Sequence, residues 1–261
     1  MANRTNPRRQ GRRIETQKLL RVAGLPAVAA LFATAPDRVE QLFFADDIKS
    51  SVGTFCATLA RARKPYRLVE PEELERISGS VLHGGVVALA QPRRIPEFDA
   101  GHAAAWARDN RLLLLLDGIG NPHNLGAIVR TAAFFGLPRI VLSDRPEQAL
   151  PSAASYRVAE GGFEYVDLYR GTRFVQVLAT LRHSHWVIGA AAEGGRPIET
   201  LPRSERPLAL VMGNEEDGLR PATLKACEEL VTIPGSGSVQ SLNVSASAAI
   251  LIYAGLHSSR T

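Results

Sequence analysis

Only two cysteines occur in the 261 residues, Cys56 and Cys227, with no C-x-x-C spacing. A disulfide framework and a zinc site both lack their ligands, and no metal is expected. No apolar run approaches the roughly twenty residues that cross a bilayer, and no apolar stretch near the N-terminus reads as a secretory segment. A cytoplasmic protein with no membrane partner is therefore expected. Aromatic residues make up 6% of the chain, which leaves few platforms for stacking unpaired bases. No G-x-G-x-x-G opens a strand, so a dinucleotide-binding reading has little support.

Positive charge is present but unevenly spread. The formal charge is +5, a modest lean toward a polyanionic partner. Arg4, Arg8, Arg9, Arg12 and Arg13 crowd residues 1–14 among Asn, Pro and Gln with no acid. Such a stretch suits an arm that neutralises phosphates without sequence preference, or simply a solvated terminus. With few aromatics, an RNA partner is expected to be recognised by shape and phosphate charge, with Arg93 and Arg94 as further candidate contacts.

Periodicity predicts a helix from 15 to about 35, interrupted at Gly24-Leu25-Pro26. Strands are expected at 39–44, 66–69 and 86–90, with helices at 52–63 and 71–77; together they make a small α/β unit. Residues 92–109, opening with two prolines and two arginines, read as a linker. Beyond it, 112–116 is an apolar run ending in Asp117-Gly118, the pattern of a parallel strand buried on both faces. Further strands are expected at 139–143, 186–190, 208–213 and 230–233, and helices at 125–135 and 221–230. Repeated β-α-β units make a mostly parallel, covered sheet.

Three strand-to-loop junctions in this second unit carry polar chemistry. In the first, Asn124 is expected to cap a helix, and Arg130 follows within two turns, near enough to share a pocket; a plain cap and a surface arginine fit as well. In the second, Gly213-Asn214-Glu215-Glu216-Asp217-Gly218 ends an apolar strand, where open α/β sheets place ligands. Its adjacent acids lack a histidine cluster and do not make a metal site. In the third, Gly235 and Gly237 permit close backbone approach, and Asn243 or Ser245 caps a helix opening on small residues. That describes a pocket built of main chain, though an ordinary turn has the same composition.

Taken in order, the three junctions resemble a known family. Asn121-Pro122-x-Asn124-x-Gly126-Ala127-Ile128-x-Arg130-Thr131-Ala132, then Gly213-Asn214-Glu215-x-x-Gly218-Leu219, then Ile233-Pro234 with Ser241-Leu242-Asn243-Val244-Ser245, are similar to the motifs of the SpoU (TrmH) RNA ribose methyltransferases of the SPOUT superfamily. The likeness is strong over about 110–256. Residues 15–90, with His83-Gly84-Gly85, resemble the family's ribosomal-protein-like substrate-binding domain more weakly. Beyond the basic arm at 1–14, the resemblance implies an RNA substrate-binding domain at 15–91 and a SPOUT domain at 110–261. That domain would hold a parallel sheet with a deep trefoil knot.

It further implies S-adenosylmethionine in the knot, a homodimer with active sites across its interface, and structured tRNA or rRNA as substrate. Cofactor contacts carry over to Gly213, Ile233 and Leu242, and catalytic or site-shaping roles to Asn124, Arg130, Glu215, Ser241 and Asn243. The chemistry is methyl transfer to a ribose 2′-hydroxyl. A guanidinium stays protonated, so Arg130 is expected to stabilise the developing alkoxide, oriented by Glu215 and Asn124. Several positions depart from the family pattern: Gly235 replaces a methionine, Gln240 an acid, and Arg157-Val158-Ala159-Glu160-Gly161-Gly162 an Arg-x-Ser-x-Gly-Ala segment. A non-catalytic RNA-binding protein is the competing reading, whereas an unrelated small-molecule enzyme would leave three ordered matches to coincidence.

Overall fold

A computed structural model describes residues 19–202 and 204–258. The arm expected at 1–14 lies outside the described residues.

The N-terminal unit consists of β1 (Leu20–Ala23), α1 (Leu25–Thr34), β2 (Val39–Phe44), α2 (Gly53–Arg61), β3 (Tyr66–Leu68), α3 (Pro71–Ser78) and β4 (Val86–Ala90). Its sheet runs β1-β4-β2-β3. β4 pairs antiparallel with both β1 and β2, and β3 lies parallel to β2. The alternation along β2 and β4 splits the core. Leu42, Phe44, Val86 and Ala88 pack toward α1 and α2, while Phe43 and Val87 face Leu74 of α3. The long helix expected from 15 to 35 is corrected: its first described part is β1, aligned Leu20↔Ala90 through Ala23↔Val87. Pairing with the open edge of β4 outweighs local helix preference. Gly24, at φ 93°, turns the chain into α1.

The C-terminal unit begins within the stretch expected as linker. Residues 92–109 contain α4 (Ala100–Arg108), whose start is closed by a reciprocal capping box between Asp99 and His102. There follow β5 (Leu113–Asp117), α5 (Pro122–Phe134), β6 (Arg139–Ser143), α6 (Ala153–Ala159), β7 (Asp167–Gly171), α7 (Phe174–Leu181), β8 (Trp186–Ala190), β9 (Arg196–Pro197), β10 (Leu208–Gly213), α8 (Pro221–Ala226), β11 (Glu229–Thr232) and α9 (Val244–Ser258). The seven strands run β7-β6-β5-β10-β8-β11-β9, and every pairing is parallel. Leu113 and Leu115 face α4 and α7, while Leu114 and Leu116 face α5 and α9. Four consecutive leucines are thus buried because helices cover both sides. The helix expected at 221–230 ends at Ala226, and the chain turns into β11 to pair with β8.

The units share one continuous core, since α1 and β1 pack on α6 and the turn after it. Polar contacts reinforce this junction. Arg38 Nη1 pairs with Glu164 Oε2 at 2.7 Å, the glutamate side chain only 2% exposed. Arg157 Nη1 donates to Ser80 Oγ at 2.7 Å. Arg93 donates to the carbonyls of Phe163 and Val166 and pairs with Asp167. Arg93, expected on phosphate, is therefore committed to the junction between units, whereas Arg94 is exposed. Burial and the nearby Glu164 carboxylate push the Tyr156 phenol up to about 12.

Candidate active site

Register brings the first two junctions side by side. Asp117, last in β5, is the partner of Gly213, last in β10, so both loops leave the sheet at one level. Asn214 Nδ2 donates to the Gly118 carbonyl at 2.8 Å. Its Oδ1 accepts from the N–H groups of Glu216 and Asp217 at 2.9 and 3.2 Å, folding the acidic loop into a tight turn. The turn closes through two reciprocal 3.0 Å bonds between the Asn214 and Gly218 backbones.

Glu215 is thereby aimed at the first motif. Its carboxylate accepts from Gly120 N–H at 3.1 Å, Asn121 N–H at 3.3 Å and Asn124 Nδ2 at 2.8 Å. Asn124 Oδ1 in turn accepts from Asn243 Nδ2 at 3.1 Å. Asn243 Oδ1 accepts from Ser245 N–H at 2.9 Å and Ser245 Oγ at 2.6 Å, so Asn243 caps α9 and Ser245 does not. The expected cap at Asn124 is corrected: Asn121 caps α5 by accepting from His123 N–H at 2.8 Å, and Asn124 is the third residue of the first turn. The first helical turn leaves side chains pointing toward the loop, and Asn124 uses both ends of its amide to join the other two motifs.

Beside this line of side chains opens a cavity of about 920 Å³, within the range of small-molecule sites. Its wall is made by the ends of β8, β10 and β11 and the first turns of α9. Gly213, Glu215, Ile233, Ser241 and Leu242 line it, as do Leu219 and Leu251. Among the described lining residues are Glu193, Glu215, Glu216 and Asp217, and no lysine or arginine. In a chain of net positive charge, this acid-lined pocket suits a ligand that carries positive charge and an apolar part. S-adenosylmethionine, with its sulfonium, ammonium and adenine, fits that description. Gly235 and Gly237 have nothing within 4 Å of where a Cβ would stand, so the loop offers main chain to a ligand.

Arg130 is placed elsewhere. It is exposed, it is not among the cavity's lining residues, and its Nη2 pairs with Glu160 Oε2 at 2.8 Å. Six residues at 100° each rotate it about 120° from Asn124 around α5, which explains why the two do not meet as expected.

Sequence reasoning passed over several supporting residues. Gln148, 7% exposed, accepts at Oε1 from Gly118 and Ile119 N–H at 2.9 and 3.2 Å, bracing the first loop from behind. Asp117, 2% exposed, accepts from Thr223 Oγ1 at 2.7 Å, and Arg145 Nη1 donates to its carbonyl at 2.9 Å. Isolated polar residues in these segments carry no pattern that marks them. Cys227 is no nucleophile, because burial and then the Asp117 carboxylate push its thiol up to about 12.

The family model for the SpoU rRNA methylase family matches residues 111–253, and that for RNA 2′-O ribose methyltransferase substrate binding matches 21–96. The chain belongs to this family. It is a methyltransferase assembled from the family's two parts. It is 32% identical over 236 residues to the 23S rRNA (guanosine-2′-O-)-methyltransferase RlmB of Haemophilus ducreyi, covering 89% of this chain and 95% of that protein. The Escherichia coli K12 protein of the same name is 34% identical over 239 residues, covering 89% of this chain and 96% of its own. Among solved structures, the AdoMet-bound rRNA methyltransferase of Sinorhizobium meliloti shares the fold at a TM-score of 0.74. That match is 21% identical and covers 92% of this chain and 87% of the other. The parallel sheet with a preceding substrate-binding unit stands as expected, as does the family itself. Among the described residues no group of three or more His, Cys, Asp or Glu is placed to hold a metal, and no helix is long and apolar enough to cross a membrane.

Proposed function

We propose that this chain methylates a guanosine ribose 2′-hydroxyl of 23S rRNA, as a cytoplasmic homodimer using S-adenosylmethionine. The observation carrying this reading is the bonded line Glu215–Asn124–Asn243, which gathers three distant motifs at the rim of one acid-lined cavity. The RNA is suggested by curated relatives matched over nearly their whole length. Bound S-adenosylmethionine supplies an electrophilic methyl on a cationic sulfur. Gly213, Ile233 and Leu242 would hold it, largely through main chain, and Leu219 and Leu251 would supply apolar contact from the same cavity wall. Asn124 and Glu215 hold the first loop in place, and Asn243 fixes the start of α9. Ser241, on the cavity wall, is assigned to shaping the site for the ribose. Arg130 stabilises charge on the 2′-oxygen as its proton leaves.

Arg130 reaches a cavity by way of a second protomer. Arg130 and Phe134, four residues apart, share one face of α5, and Phe134 is 83% exposed. Tyr253 and Ile250 on the adjoining α9 are 54% and 40% exposed. A contiguous apolar face of this kind supports a symmetric interface, with Arg130 completing the partner's site. The knot belongs to the segment 213–258, whose Asn243 reaches back to Asn124. The N-terminal unit at 15–91, joined through 92–109, serves as the RNA-binding domain.

The test is incubation with labelled S-adenosylmethionine and 23S rRNA from a strain lacking the gene, with nucleotide mapping. Label is expected on one guanosine ribose, reduced about a hundredfold or more in Arg130→Ala, the scale of removing one preorganised charge-stabilising donor. Undiminished label in Arg130→Ala, or no label although the cofactor binds, overturns the reading.

A further inference from the structure

We infer that Glu160 is a positioning residue that aims the guanidinium of Arg130; the inference rests on the role given to Arg130 above. The two side chains pair at 2.8 Å, and both are about half exposed. A guanidinium carries five donors, so pairing with one carboxylate leaves donors for the reacting oxygen.

What singles out Glu160 is its backbone. It ends α6 in the left-handed region, at φ 45° and ψ 43°, a conformation uncommon for a residue with a side chain and maintained only when its surroundings impose it. Those surroundings are unusually tight. A Cβ on Gly162 would stand 3.1 Å from the Val129 carbonyl and 3.2 Å from Arg130 Cα, so this turn lies directly on the backbone that carries Arg130. A Cβ on Gly161 would stand 2.6 Å from Ala30 Cβ and 3.2 Å from the Pro26 carbonyl, both in α1. Glu164 then takes Arg38 in the buried pair. The turn from Glu160 to Glu164 is therefore wedged between α5 and the N-terminal unit, and its first side chain projects onto Arg130. A long arginine on an exposed helix face has many rotamers; a carboxylate on a fixed turn selects among them. Exposed ion pairs add little to stability, so the contact's consequence lies in alignment, to which transfer between two reactants is sensitive.

The experiment compares wild type, Glu160→Gln, Glu160→Asp, Arg130→Ala and the double variant Glu160→Gln/Arg130→Ala with saturating RNA. Glu160→Gln is expected to lower kcat about tenfold, while the melting temperature and S-adenosylmethionine affinity stay at wild-type values. Glu160→Asp, which keeps the charge, recovers part of the loss. In the double variant the glutamine adds no further loss beyond Arg130→Ala, as coupled residues require. Glu160→Gln with near-normal kcat beside a crippled Arg130→Ala overturns this inference alone. So does an equal fractional loss in both backgrounds, or a lowered melting temperature with a matching rise in KM. Undiminished turnover in Arg130→Ala overturns the role of Arg130 itself, and this inference with it.

Discussion

Gly213 is the position where the cavity's wall is most tightly specified. A Cβ there would stand 2.3 Å from the Gly218 carbonyl carbon, 2.4 Å from Leu219 N and 2.5 Å from Gly218 O. Every one of these is backbone, in a turn already closed by reciprocal 3.0 Å bonds between Asn214 and Gly218, so no side chain can swing aside. Carbon atoms rest about 3.5–4.0 Å apart, and the turn must retreat by roughly 1 Å to admit the methyl of Gly213→Ala. Overpacking of this kind costs about 1–3 kcal/mol. At about 2–4 °C per kcal/mol for a chain this size, the melting temperature should fall by several degrees. The retreat also carries Glu215 away from Gly120, Asn121 and Asn124, and S-adenosylmethionine should bind at least about tenfold more weakly, a loss of roughly 1.4 kcal/mol. Gly235→Ala is the matched control: nothing lies within 4 Å of its Cβ and its φ is outside the left-handed region. It should melt and bind as wild type does. Calorimetric titration with the cofactor and a thermal melt read both variants. A Gly213→Ala protein indistinguishable from Gly235→Ala in both would refute the reasoning.

Arg38→Ala leaves the Glu164 carboxylate, 2% exposed, without its ion pair. Urea denaturation should show a loss of about 3–5 kcal/mol, most of it restored when Glu164→Leu is added. Burial, then the charges of Arg139 and Arg206, hold His185 down to about 4, below its ordinary 6.5. The unfolded chain then binds a proton that the native one refuses. Stability should be full above about pH 6.5 and decline toward pH 4 by up to roughly 3 kcal/mol; His185→Leu should flatten that slope in urea melts taken across the range. The raised thiol of Cys227 should resist iodoacetamide at pH 8 in the native protein and react on unfolding, as mass spectrometry would show.

Most strands of the C-terminal unit were legible because burial on both faces writes a continuous apolar run, as at Leu113–Leu116. The segment Leu20–Ala23 was misread for the opposite reason. Four residues of mixed character become a strand only because β4 offers an open edge, and that edge is sixty-odd residues away in sequence. The helix inside 92–109 is masked by Pro92 and Pro96 before it and by alanines too small to mark an apolar face. Its anchor is Trp106, stacked on His102 at 5.1 Å and beneath the Arg139 guanidinium at 5.0 Å. Such a contact exists only once β6 is in place.

The site divides along the same line. Motif residues recur at fixed spacing, so Asn124, Glu215 and Asn243 were identifiable; their mutual bonding was not, since it depends on Asp117 and Gly213 sharing a register. Arg130 exposes the limit more sharply. Its place in a motif suggests a pocket shared with Asn124, yet helical geometry turns it onto the face of Phe134 and the turn at Glu160. That face exposes Phe134, and that turn is where the N-terminal unit is seated through Arg38 and Glu164. The five residues Glu160 to Glu164 thus link the N-terminal unit to the arginine, beside the contacts of α6 with β1. Tight packing transmits displacement where a flexible tether would absorb it, so a shift of the N-terminal unit against this turn reaches the Glu160–Arg130 pair.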